Sequence, residues 1–248
     1  MKGWDLKEGE ILKKDLNNEE MIDLFYNFFQ KKTKMNNLYK LFLLKSVLEC
    51  SEFQEENLFE KIYHNFGKNY WNFTTKVNFN INTSLGKITT QKKIILDIKN
   101  TIGINFSNHF NENLDFLKQQ YLNNTKKNLK TYVVGALYGD FKGTIYSFNK
   151  KENTIILNEN LREFMFKNKK ILFELIDYRM IEFLKLVNKK SDLKDLNILK
   201  KYSRNIEDDF YKNIDLMFNK LKTNKEESAL DMAKKNNDLI MELLKKYK

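Results

Sequence analysis

The chain has no proline, one cysteine and two histidines, and only three of its 44 basic residues are arginine, in 248 residues. Each shortage excludes something. Without proline, and with eight glycines, little interrupts long helices. A lone Cys50 cannot form an intrachain disulfide, and in an apolar helix it reads as a buried, inert thiol. The opening stretch MKGWDLKEGE has no apolar core of a signal peptide, so a reducing cytoplasm is the expected setting. The longest apolar runs, Leu41–Leu44 and Thr154–Leu157, fall far short of the roughly 20 residues a membrane span needs, so no membrane role is expected. His64 and His109 share no HxxxH, HExxH or Cys/His spacing, which leaves a structural zinc site without ligands. Neither GxxxxGK[ST] nor GxGxxG occurs, and there is no Gx[SC]xG elbow. No nucleotide cofactor, no metal and no acyl-transfer triad is therefore expected.

What is present is apolar content and positive charge. Hydrophobic residues make up 42% and aromatics 14%, enough for a true core and too much for a disordered chain. The charge is uneven. Residues 61–188 hold 20 Lys and Arg against 10 Asp and Glu, a net of +10, while residues 1–60 are at −3 and residues 189–248 at +4. A basic excess concentrated in the middle points to a polyanionic partner, most simply nucleic acid. The abundance of Lys, Asn, Ile, Phe and Tyr is also how an AT-rich genome writes an ordinary protein, so charge alone does not decide the matter.

The pattern along the chain predicts an α+β fold that is mainly helical. Asn17 with Glu20 opens a helix over about 18–31. Residues 36–50 are apolar nearly all round, the mark of a helix buried at the centre of a core. Ser51-x-x-Gln54 reads as a capping box for a helix over about 52–70 that ends near Gly67. Phe73, Val77, Phe79 and Ile81 alternate and predict a short strand or hairpin around a turn at 84–87. Residues 91–102 fit either a helix or a strand, and a helix is expected near 111–122. Tyr132–Tyr138, Thr144–Phe148 and Thr154–Leu157, separated by Gly- and Asn-bearing turns, predict a three-stranded antiparallel meander within 132–157. Asn160 with Glu163 then caps a helix, and 169–188 form a longer one. The expected division is a core over 1–188 and an amphipathic helical hairpin over 189–248, which folds on its own body or offers a surface to a protein partner or a second copy.

The residues that carry chemistry are sparse. Asp97-Ile-Lys99 after an apolar run matches the second half of a restriction-type nuclease site, where the carboxylate holds Mg²⁺ and the lysine positions water. That site needs Ile94–Lys99 to be a strand and a second carboxylate nearby, and Glu49, Glu56 and Glu60 are the upstream candidates. There is no Asp or Glu between Glu60 and Asp97, and Asp-x-Lys recurs at Asp5–Lys7 and Asp192–Lys194. The lysines are the stronger signal. Lys92 and Lys93 stand near Lys99; Lys126, Lys127 and Lys130 form a second group. Lys142, Lys150 and Lys151 fall at the turns of the meander, and Lys167, Lys169 and Lys170 between two helices. Lysines at turn tips and helix starts reach phosphates without being buried. With three arginines, bidentate guanine readout is sparse, so backbone contacts are expected to dominate. Trp71, Tyr70 and Tyr138 are either base-stacking platforms or core residues.

LYKLFLLKSVLEC (38–50), FGKNYW (66–71) and, across 136–188, ALYGDFKGTIYSF, IILNENLREFM and ILFELIDYRMIEFLKLVN resemble a group of bacterial proteins. Those proteins carry a helical and β region ahead of a C-terminal HNH endonuclease module. The resemblance covers about half the chain and rests on core residues. It departs after Asn188, where no His or Cys remains to supply the general base and metal ligands of such a module. What the resemblance implies is the pre-nuclease part alone, holding DNA or joining a separate effector in a phage-defence or mobile-element setting. The reading is thus a non-enzymatic nucleic-acid-binding protein, with a protein-interaction subunit or inhibitor as one alternative and a metal-dependent nuclease as another.

Overall fold

The computed structural model describes residues 5–30, 35–76, 81–83 and 88–188. The turn expected at 84–87 and the hairpin expected over 189–248 lie outside the described residues. Within them the protein is α+β and mainly helical. The order is β1 (Glu8–Gly9), α1 (Asn18–Phe29), α2 (Tyr39–Cys50), α3 (Phe59–Lys76), α4 (Thr90–Ile102), α5 (Asp115–Asn128), α6 (Val134–Asp140), β2 (Tyr146–Asn149), β3 (Thr154–Leu157), α7 (Glu159–Lys167) and α8 (Lys169–Val187).

The centre is α2. Leu41, Leu43, Leu44, Val47 and Leu48 are wholly buried, and the helix touches α3, α6, α7 and α8. Its few polar side chains are all spoken for. Ser46 donates to the Phe42 carbonyl at 2.8 Å, Lys40 pairs with Asp140 at 2.7 Å and Lys45 with Asp177 at 2.8 Å. Aromatic rings fill the space beside it: Phe42 meets Tyr70, Phe66 and Phe73 edge-on.

Local sequence explains where most helices begin. Asn17 accepts from the Glu20 amide at 2.9 Å while Glu20 accepts from the Asn17 amide at 3.2 Å, a complete capping box for α1. The far end of α1 is held by Arg179 on α8, which donates to the Gln30 carbonyl at 3.3 Å. The Ser51 box does not form: the Ser51 hydroxyl turns back to the Leu48 carbonyl at 2.8 Å and finishes α2. The next helix starts at Phe59, because Asn57 accepts from the Phe59 amide at 3.0 Å and from the Ile155 amide at 3.1 Å. One side chain thereby starts α3 and ties it to β3. The same helix runs straight through Gly67 and through Phe73, which was expected in a strand; Phe73 continues the helical spacing of Phe66 and Tyr70. Residues 90–102 resolve as a helix, capped by Thr89, whose hydroxyl accepts from the Lys92 amide.

The larger correction concerns Tyr132–Tyr138, expected as the first strand of the meander. This segment is helical: Leu129–Val133 form a π-helical turn that leads directly into α6. Leu129, Val133, Val134, Leu137, Tyr138 and Phe141 are buried at helical spacing, and the β-branched pair Val133-Val134 hides that period in the sequence. The third strand comes instead from the N-terminal region. β1 pairs antiparallel with β2 (Glu8 opposite Asn149), and β2 with β3 (Tyr146 opposite Leu157). The β2–β3 turn closes with Asn149 accepting from the Lys151 and Glu152 amides and with Asn153 at φ +57°. The helix cap at 160 is also displaced: Asn158, not Asn160, starts α7.

Two outcomes follow from this packing. At Gly67 a Cβ would stand 2.7 Å from Leu122 Cδ2 and 3.4 Å from Tyr121 Cε1, so α3 and α5 approach closely there. Gly67→Val is expected to lower unfolding free energy by about 1–3 kcal/mol through overpacking, read from urea unfolding by circular dichroism. Cys50 is fully buried, and burial, reinforced by the Glu49 carboxylate, pushes its thiol up to about 12. A thiol reagent is expected to leave the folded protein almost unlabelled at pH 8 and to label it at once in denaturant; fast labelling of the native state would contradict the packing of α2.

Candidate nucleic-acid interface

The expected lysines divide by what already holds them. Lys126 pairs with Glu60 at 2.5 Å and lies over the rings of Phe59 and Tyr63. Lys167 pairs with Glu163 at 3.4 Å and Lys169 with Glu52 at 3.0 Å. Lys130 donates to Asn153 Oδ1 at 2.7 Å. Glu52 and Glu60 belong to the acidic first sixty residues, so the chain's charge asymmetry is partly cancelled when those residues fold onto the basic middle. Lys92 and Lys150 are half-buried, and burial lowers the proton affinity of both. Lys170 is exposed beside Glu174. Lys93, Lys99, Lys127, Lys142 and Lys151 are exposed, with no ion pair to another described residue.

Several of these come together. The Lys130–Asn153 bond joins the end of α5 to the β2–β3 turn, so Lys130, one turn after Lys126 and Lys127, reaches the turn that carries Lys150 and Lys151. Lys92 and Lys93 occupy the first turn of α4, where the helix end already carries partial positive charge. The Lys167–Lys170 group sits elsewhere, at the α7–α8 corner against Glu52. Lys142 lies in the turn after α6 at φ +52°.

The aromatic candidates belong to the core. Trp71 and Tyr70 are wholly buried and Tyr138 nearly so. Trp71 stacks on Phe106 at 5.3 Å, meets Tyr121 edge-on at 5.1 Å and donates to the Ser107 carbonyl at 3.3 Å. The exposed rings are others: Phe116 at 64%, Tyr132 at 56% and Phe166 at 54%. Two of them lie on or next to α5. The signal that could have found this surface is an absence: from Phe116 to Gly139 there is no Asp or Glu, against four lysines.

For the nuclease pair, the required strand is a helix. Asp97 and Lys99 both lie on α4, exposed and two residues apart, hence pointing to different sides. Glu49 is occupied by Asn69, whose amide donates to both carboxylate oxygens at 3.0 Å, and burial raises its proton affinity. Glu60 is occupied by Lys126. Among the described residues no three His, Cys, Asp or Glu side chains gather within reach of one metal ion. His109 is exposed, and His64 packs edge-on against Phe110 at 5.7 Å. No described helix is long and apolar enough to cross a membrane. No protein-family model, curated protein or solved structure matches the chain.

Proposed function

We propose that this protein binds the phosphate backbone of nucleic acid, most simply DNA, and does so without catalysis. The observation that carries the reading is the acid-free helical run from Phe116 to Gly139, with Lys127 exposed and Lys130 bonded to the β2–β3 turn that brings up Lys151. Lys93 in the first turn of the neighbouring α4 adds positive charge, set against exposed Asp97 one turn further on. Along the helix itself the one carboxylate is Asp115, paired with Lys118 at 2.7 Å; Glu60, paired with Lys126, and exposed Glu152, next to Lys151, border the surface. Lys126, Lys167 and Lys169 contribute less, because a phosphate would first have to displace Glu60, Glu163 or Glu52. The setting implied by the resemblance, an accessory part of a bacterial defence or mobile-element system, accords with backbone binding.

A second reading, a protein-interaction subunit, is favoured by one feature. The connection between α4 and α5 is pinned by Asn113, which bonds Ser107 and His109, yet it presents Ile104 and Leu114 to solvent. A rigid loop with exposed apolar side chains suits a protein partner.

One titration separates the two. Gel-shift binding to a duplex of mixed sequence is expected to weaken by orders of magnitude between about 50 and about 200 mM salt, since each neutralised phosphate releases condensed counterions. Lys127→Glu with Lys151→Glu should lower affinity about tenfold or more and flatten the salt slope by about two. Absence of binding at low salt would leave the protein-interaction reading.

A further inference from the structure

The solvent face of α5 has a composition that backbone binding does not explain. Leu117, Tyr121, Leu122 and Thr125 bury one side of the helix against α3 and α4. Beyond Asp115 at the helix start, the exposed positions are Phe116, Gln119, Gln120, Asn123, Asn124 and Lys127. Their spacing, i, i+3, i+4, i+7, i+8, i+11, makes a single stripe along the helix. Four of the six are carboxamides, and after Asp115 no carboxylate interrupts them.

A carboxamide offers one acceptor and two donors in a fixed plane. That set matches the N6 donor and N7 acceptor of adenine in the major groove, where Asn and Gln bind bidentately. Within the stripe, Gln119 Nε2 donates to Asn123 Oδ1 at 3.3 Å, and Asn124 Nδ2 donates to the Gln120 carbonyl at 3.0 Å. The Gln120 amide bonds no other described side chain, and Asn123 keeps its Nδ2 donor. The helix is long enough, at about 1.5 Å per residue over 14 residues, to lie along a major groove. Lys127, and Lys151 beside the helix end, then stand where groove-flanking phosphates would run. Arginine, the bidentate guanine reader, is missing from this stripe: the described arginines are Arg162, paired with Glu159, and Arg179, bonded to Gln30.

We propose that α5 enters the major groove of duplex DNA and selects A·T base pairs through Gln120 and Asn123. This rests on the backbone-binding reading and adds base readout to it. A duplex RNA of the same sequence is excluded as an equal ligand, because its major groove is too deep and narrow for a helix.

The test is fluorescence anisotropy at one fixed salt concentration with 16-base-pair duplexes: A·T-rich DNA, G·C-rich DNA, A·T-rich DNA carrying 7-deazaadenine, and A·U-rich RNA. The wild type is expected to favour A·T-rich DNA over G·C-rich DNA by about tenfold, the low end for one bidentate contact. The 7-deaza duplex, which lacks the N7 acceptor, should bind like the G·C-rich one. Gln120→Ala with Asn123→Ala should lose the preference while keeping affinity for G·C-rich DNA. Both positions are exposed and alanine favours helix, so a thermal melt by circular dichroism should show an intact fold. Equal affinity for A·T- and G·C-rich DNA would overturn base readout and leave backbone binding standing. An undiminished affinity for the 7-deaza duplex, or for the RNA, would overturn the major-groove assignment. No binding to any duplex at low salt would overturn both readings together.

Discussion

Everything in this fold depends on the burial of α2 from all sides. A helix whose Leu41, Leu43, Leu44, Val47 and Leu48 have no contact with water must be walled in, and α3, α6, α7 and α8 are the walls. Each such side chain contributes roughly 1.5–3 kcal/mol when fully removed from water. The consequence for charge is direct. Lys40 and Lys45, on the same helix, are partly buried and find Asp140 on α6 and Asp177 on α8. The walls are thus fixed in rotation as well as in distance, since a slip of either helix would strand a half-buried ammonium group.

How far the sequence reveals this structure varies by element, for physical reasons. The α2 helix is legible because an unbroken apolar surface has one solution in water. The α1 start is legible because Asn17 and Glu20 act on each other within one turn. The Ser51 signal misleads because a hydroxyl at a helix end has two backbone choices, the next amide or the preceding carbonyl, and tertiary packing selects the second. Tyr132–Tyr138 misleads because Val133 and Val134 favour strands intrinsically, while the burial of Leu129, Leu137 and Phe141 imposes a helical period over a longer window. The partner of β2 is invisible to local reading, since Glu8–Gly9 is two residues long and distant in sequence.

The candidate surface was legible in outline only. Charge summed over long windows locates the basic excess in residues 61–188 but says nothing of pairing in space. Folding brings Glu52 to Lys169 and Glu60 to Lys126, which removes two expected contacts from the front rank. Trp71, the most prominent aromatic in the basic region, is consumed by the core together with Phe106, Phe110 and Tyr121. What remains at the surface is milder chemistry, amides and lysines with a flanking Phe116, and it is read more easily from missing carboxylates than from any motif.

The pairing of β1 with β2 also sets an order of events in time. Glu8 and Asn149 bond at 3.0 Å across 141 residues of sequence. During synthesis at roughly 5–20 residues per second, the N-terminal strand waits on the order of ten to thirty seconds for its partner to be made. The helices α2 to α5 can form in that interval, with α3 packing on α2, α4 and α5, because these contacts are nearer in sequence. Two of the walls around α2, α7 and α8, are made only after residue 149, and α1 packs on both. A ribosome paused before residue 149 would therefore hold α2 with one flank bare, and both the first strand and the first helix still waiting for partners.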